Sequence, residues 1–289
     1  MQQRTAKAND LEFSYLEAGP ADGPLALCLH GFPDTAHSWR HLLPALADAG
    51  YHAVAPWLRG YSPTGLAPDG AYQAGALGSD ACALHEVLGG DERAVLVGHD
   101  WGAFAVWSAA PWQPARWRRV VAMAVPPLAV AGRTLFTYDQ LKRSFYVFLF
   151  QTPLADIVVP MDDMAFVERL WHDWSPGYDA AEDVAWVRQS LGDPANLAAA
   201  IGYYRAMFDA TRHLPAYEEV QAAAGGVPPQ PTLYLHGDGD GCFGAPDKPE
   251  LLATLSRGSR YEVVVGAGHF LHLEQPDVVR GHVLDFLSA

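Results

Sequence analysis

Six short apolar runs punctuate the chain, and each ends in a turn rich in glycine or proline. Leu25 to Leu29 leads into His30-Gly31-Phe32-Pro33, Ala53 to Ala55 into Pro56, and Ala94 to Val97 into Gly98. Val120 to Val125 leads into Pro126-Pro127, Thr232 to Leu235 into His236-Gly237, and Tyr261 to Val265 into Gly266. Unbroken apolar runs of this length suit strands buried on both faces, as in a parallel sheet. Helical patterns fall between them, over residues 37–49, 75–88 and 101–110. A last helix starts at Pro276, a residue suited to a first helical position, and places Val279, Val283 and Phe286 on one face. Strands alternating with helices predict a doubly wound α/β sheet.

The alternation stops at about residue 127 and resumes after residue 212. The intervening stretch carries Tyr146, Phe148, Phe150, Trp171, Trp174, Trp186, Tyr203, Tyr204 and Phe208 on helix-like segments, and no strand is evident. It reads as a helical cap, residues 127–212, inserted into a core made of residues 1–126 and 213–289. A cap there would sit over the C-terminal strand edge, where such sheets bind ligands.

Composition narrows the function. Half of the 289 residues are hydrophobic and only 18% are charged, so a folded core is expected rather than disorder. A net charge of −14 argues against nucleic acid or an anionic membrane as partner. The longest apolar run, Val120 to Ala131, is interrupted by two prolines and is shorter than the roughly 20 residues that cross a bilayer. Cys28, Cys82 and Cys242 are scattered, without the spacing of a metal site or a disulfide framework. No metal is therefore expected. Free thiols and a polar N-terminus point to a cytoplasmic protein, monomer or homodimer.

The chemistry concentrates in three turns. Gly98-His99-Asp100-Trp101-Gly102 lies between a predicted strand and a predicted helix and matches the nucleophile elbow, with Asp where Ser usually sits. Gly237-Asp238-Gly239-Asp240 and Gly266-Ala267-Gly268-His269-Phe270 follow the last two strands. Nucleophile, acid and histidine thus come in the order Asp100, Asp240, His269. Over essentially its whole length the chain resembles the α/β-hydrolase family. The resemblance favours Asp240 over Asp238 as the acid and treats His272, His30 and Arg59-Gly60-Tyr61 as structural. It also implies that the backbone N–H groups of Phe32 and Trp101 form an oxyanion hole.

An aspartate nucleophile selects the reaction. Attack by a carboxylate on an sp³ carbon leaves an ester, which water activated by a histidine can cleave; a serine ether would be a dead end. Epoxide hydrolases and haloalkane dehalogenases share this arrangement. Tyr146-Val147-Phe148-Leu149-Phe150-Gln151-Thr152-Pro153 and Gly202-Tyr203-Tyr204-Arg205 resemble the two cap-tyrosine segments of the epoxide hydrolases, which makes Tyr146 and Tyr204 the expected proton donors to the epoxide oxygen. Tyr204 also shares a helix face with Leu197, Ile201 and Phe208, so packing is its competing role. Gly202 replaces the usual Asn, and Trp57 replaces an Asp frequent in relatives. Phe32, Trp101 and Phe270 are expected to line the pocket. The reading is cofactor-independent hydrolysis of a small apolar epoxide to a vicinal diol, with water as co-substrate. The alternatives are haloalkane dehalogenation, with Trp101 and one of Trp171, Trp174 or Trp186 binding halide, and a non-catalytic relative that binds a small ligand.

Overall fold

The computed structural model describes all 289 residues. Eight strands form one sheet in the order β1-β2-β4-β3-β5-β6-β7-β8. They are β1 (Gln2–Ala8), β2 (Leu11–Ala18), β3 (Leu25–Leu29), β4 (His52–Pro56), β5 (Val95–His99), β6 (Arg119–Met123), β7 (Thr232–Gly237) and β8 (Arg260–Val264). From β4 to β8 all neighbours run parallel, and β3, β4, β5 and β7 are buried along their whole length. All six apolar runs are strands of this parallel part. The hairpin β1–β2 adds an antiparallel edge that the sequence reading did not anticipate. Its first strand, QQRTAKA, is mostly exposed and polar, so it lacks the apolar signature of the inner strands.

Helices cover both faces. They include α1 (Leu42–Asp48), α2 (Ala74–Val87) and α3 (Trp101–Trp112). The segment read as one helix over 37–49 divides into a 3₁₀ turn, Ala36–His41, and the shorter α1. Between β6 and β7 lies the inserted helical region. It comprises α4 (Leu128–Thr134), α5 (Tyr138–Arg143), α6 (Phe145–Leu149), α7 (Ala155–Val158), α8 (Met161–Trp174), α9 (Ala181–Leu191) and α10 (Pro194–Phe208). Then α11 (Glu218–Ala223) packs on α2 and α3, and α12 (Lys248–Leu252), α13 (Leu271–Glu274) and α14 (Pro276–Ser288) complete the chain. No helix is long and apolar enough to cross a membrane.

Specific polar contacts fasten the insertion to the sheet layer. Arg40 makes a bidentate pair with Asp183 of α9 at 2.7 and 3.1 Å. The Tyr203 hydroxyl donates to the Arg59 carbonyl, Asn196 to that of Gly60, and Ser190 to that of Ser62. Arg59 itself is buried, holds Asp80 of α2 through two 2.6 Å bonds, and donates to the Ala71 carbonyl. The Arg59-Gly60-Tyr61 turn is therefore structural, as expected.

Candidate active site

The site is built where β5 gives way to α3. Asp100 takes φ 52° and ψ −115°, a region few non-glycine residues occupy, and precedes the first turn of the helix. The turn can close only because its flanks lack side chains. A Cβ on Gly98 would meet the Gly102 carbonyl oxygen at 2.1 Å, and one on Gly102 would meet that of Leu29 at 2.0 Å. The elbow thereby lifts the Asp100 carboxylate above the sheet.

Two loops converge on it. The Phe32 N–H donates to Asp100 Oδ1 at 2.8 Å. His269 Nε2 lies 3.6 Å from Asp100 Oδ2 and has no hydrogen-bond partner although fully buried. On the far side of the ring, His269 Nδ1 bonds Asp240 Oδ2 at 3.0 Å. The other Asp240 oxygen accepts the N–H groups of Cys242 and Phe243 at 2.7 and 3.0 Å. Asp238 points elsewhere: its carboxylate accepts the Gly266 N–H. The Trp101 N–H opens α3 and so has no carbonyl within the helix to bond.

Electrostatics follow from this packing. Burial opposes a charge on His269, but Cys242, Asp240 and Asp100 overcome it and raise the imidazole well above its usual value. Burial likewise opposes the Asp240 carboxylate, yet His269, His236 and the Phe243 N–H hold it below the usual range. The His99 Nε2–H donates to the His269 carbonyl, 2.9 Å away, and burial pushes the His99 pKa down to about 3. It packs beside His272 and Asp34 under the triad. His30 has both nitrogens on backbone groups, Gly31 O and Leu58 N, which makes it a structural residue as expected.

A cavity of about 290 Å³ opens over Asp100. Its walls are overwhelmingly apolar and include Trp101, Phe104, Val125, Leu128 and Met207, with Tyr146, Tyr204 and Cys242 as the groups of chemical interest. Of the three residues expected to line it, only Trp101 does. The Phe32 ring is covered by Phe150 and Tyr204, and the Phe270 ring is stacked against Trp171 at 3.4 Å. Both are fully buried.

Tyr146 and Tyr204 come together edge to face, their ring centres 5.6 Å apart. The Tyr146 hydroxyl lies 3.3 Å from Cys242 Sγ, whereas the buried Tyr204 hydroxyl has no partner. Burial raises both phenols well above 10, with Cys242 adding to it at Tyr146 and Asp100 at Tyr204. The two motifs are tied to each other. Gln151 donates to the carbonyls of Val147 and Tyr204, and Arg205 donates to that of Phe150. Gly202 fits because the Tyr72 ring occupies the space beside it. Trp57 packs on His37, which stacks on Trp186. Cys242 was missed as a site residue in the sequence; its one signal was a position two residues beyond the acid.

Comparison with known proteins agrees with this fold. Residues 24–276 match the family model described as alpha/beta hydrolase fold. Epoxide hydrolase A of Mycobacterium tuberculosis is 31% identical over 99% of this chain and 97% of its own length. Epoxide hydrolase 3 of Mus musculus is 30% identical over 98% of this chain and 75% of its own. Among solved structures, an inhibitor complex of Bacillus megaterium epoxide hydrolase superposes with a TM-score of 0.82 at 26% identity, covering 99% of this chain and all of that one. Epoxide hydrolase A of Mycobacterium thermoresistibile gives 0.77 at 27%, over 100% and 98%. This chain belongs to the α/β-hydrolase fold family and is related within it to the epoxide hydrolases.

Proposed function

We propose that the protein hydrolyses a small apolar epoxide to a vicinal diol, with residues 127–212 acting as the cap. One observation carries the reading: a carboxylate nucleophile and two buried, protonated tyrosines face the same apolar cavity. An epoxide bound between them has its carbon toward Asp100 and its oxygen toward the two phenols. Asp100 attacks the carbon, the C–O bond breaks, and a tyrosine proton goes to the leaving alkoxide. Because the Tyr204 hydroxyl has no protein partner, it is available to that oxygen.

The second half-reaction follows from charge. While Asp100 is ionised, it helps to keep a proton on His269. Forming the ester neutralises Asp100 and removes that support, so His269 loses its proton more readily and becomes a base when a base is first needed. Asp240 holds the ring through Nδ1 and leaves Nε2 facing water. Water attacks the ester, and the N–H groups of Phe32 and Trp101 stabilise the oxyanion. In this scheme the diol leaves with one oxygen from the Asp100 carboxylate.

Dehalogenation has weaker support. Phe32 offers no side-chain donor, the Trp171 indole N–H is engaged by the Pro33 carbonyl at 2.8 Å, and Trp186 stacks on His37. A Bacillus megaterium relative, as the Phe-to-Ala variant whose structure was solved, holds its diol product. The deciding experiment uses His269→Gln. With a terminal epoxide, intact mass and peptide mapping should show an ester accumulating on Asp100, because alkylation proceeds without a base and hydrolysis does not. A folded variant that forms no adduct, or that turns over normally, sinks the scheme.

A further inference from the structure

The spacing of the cysteines in the sequence gives no metal site, yet the fold assembles one set of donors from three loops. Cys242 Sγ, a His269 ring nitrogen and an Asp100 oxygen lie within 4.8 Å of one another, and all three residues are buried. His269 Nε2 faces this space with no hydrogen-bond partner. It stands 3.6 Å from Asp100 Oδ2. Tetrahedral zinc with bonds of about 2.0–2.3 Å spaces its ligand atoms about 3.2–3.8 Å apart. That pair already matches, and the Cys242 sulfur lies within 4.8 Å of both.

We propose that Cys242, His269 and Asp100 form a binding site for a soft divalent cation, Zn²⁺ or Cd²⁺, whose occupancy blocks the catalytic centre. Thiolate, imidazole and carboxylate are the donor types such ions select. The cavity gives the ion a path from solvent and leaves a fourth position for water. His269 is also prepared as a ligand on its other side. Asp240 bonds Nδ1, so Nε2, once its proton has left, presents the lone pair, the carboxylate–histidine–metal arrangement that orients and strengthens imidazole ligands. Binding forms metal–sulfur and metal–nitrogen bonds and breaks the S–H bond of Cys242 and the Nε2–H bond of His269, both protons passing to solvent; nothing is oxidised or reduced. An ion there occupies the Asp100 carboxylate and the His269 lone pair together, so nucleophile and base are lost at once. The site goes beyond epoxide chemistry and is testable without a substrate.

The test is titration of the purified chain with Cd²⁺, read by thiolate-to-metal charge-transfer absorption and by calorimetry. One Cd²⁺ per chain is expected, displaced by Zn²⁺. Cys242→Ser should abolish the absorption and weaken binding at least about 100-fold. Cys28 and Cys82 remain in that variant and serve as internal controls, since both are buried away from the cavity. Asp240→Asn, which keeps every ligand, should weaken binding about 10- to 100-fold. If Cys242→Ser is unstable, Cys242→Ala takes its place, and circular dichroism checks its fold. Retention of the charge-transfer band and affinity in a folded Cys242 variant overturns the proposal. So does a wild-type chain that binds no Cd²⁺.

Discussion

At the scale of single residues, Asp100 and His269, 3.6 Å apart, lie at the centre of the site. Removing one should move the other. In Asp100→Ala the imidazolium loses a neighbouring carboxylate, so the His269 pKa should fall, which an NMR titration of the ring can follow. An unchanged value would mean that Asp240 and Cys242 alone set it, and the coupling between half-reactions would go. The sign for stability is also fixed. A histidine whose pKa is raised by folding contributes stability in full below its unfolded value, about 6.5, and loses it as pH rises through the folded value. The tyrosines are a second residue-scale case. Tyr146→Phe and Tyr204→Phe should each lower epoxide turnover about 10²–10⁴-fold, as loss of a general acid does, while the unfolding midpoint changes little. Tyr204→Phe deletes a hydroxyl that has no protein partner, so its stability should hardly change. Turnover intact in both variants would leave these rings with packing alone.

Elements show which parts of the molecule could be read in advance and which could not. Strands β3 to β7, α2 and α3 were legible because extensive burial leaves an apolar trace, and β8, at the opposite edge, kept an apolar run although it is only partly buried. Strand β1 was not, since an exposed edge strand is held by backbone bonding to β2, which leaves no such trace. The turn that carries Asp100 was legible, because the Gly98 and Gly102 contacts force glycine there. Pocket walls were harder. Phe270 follows His269 in sequence and the Phe32 N–H bonds Asp100, but both rings turn into neighbouring aromatics, a tertiary choice that no local pattern encodes. The cap motif yields its physical reason only in three dimensions. Gln151 links α6 to α10 through the Val147 and Tyr204 carbonyls, fixing the two tyrosines relative to each other. Gln151→Ala should therefore lower kcat by more than it changes KM, since the pocket keeps its walls while the proton donors lose their alignment. Stability should drop by about 1–3 kcal/mol for the unsatisfied carbonyls. Steady-state kinetics beside denaturant unfolding tests this; a change confined to KM would assign Gln151 to binding instead.

For the whole molecule, the inserted helical region is clasped to the sheet layer along α9 and α10 and left apolar near α4. Arg40–Asp183, Asn196 bonded to the Gly60 carbonyl and Tyr203 bonded to the Arg59 carbonyl secure one side. On the other, Leu135, Phe136 and Phe208 border the cavity, with Phe136 64% and Phe208 43% exposed. An apolar entrance above a cavity of about 290 Å³ sets how substrate size should be read. Each methylene moved from water into such a space is worth about 0.8 kcal/mol, or roughly fourfold in binding. Along a series of terminal epoxides with lengthening alkyl chains, kcat/KM should rise about fourfold per carbon while the chain fills the cavity. It should then level off once further carbons lie at the exposed entrance beside Phe136. The net charge of −14 adds a second expectation for the same series. An epoxide ending in a carboxylate should react more slowly than its neutral counterpart of equal length, because it must desolvate a charge against apolar walls and approach an anionic protein. Added salt should recover only the approach component, since screening acts in solvent and not inside the cavity. A flat profile across chain length would show that the reactive conformation does not enclose the alkyl group, and the cavity over Asp100 would then not be the substrate pocket.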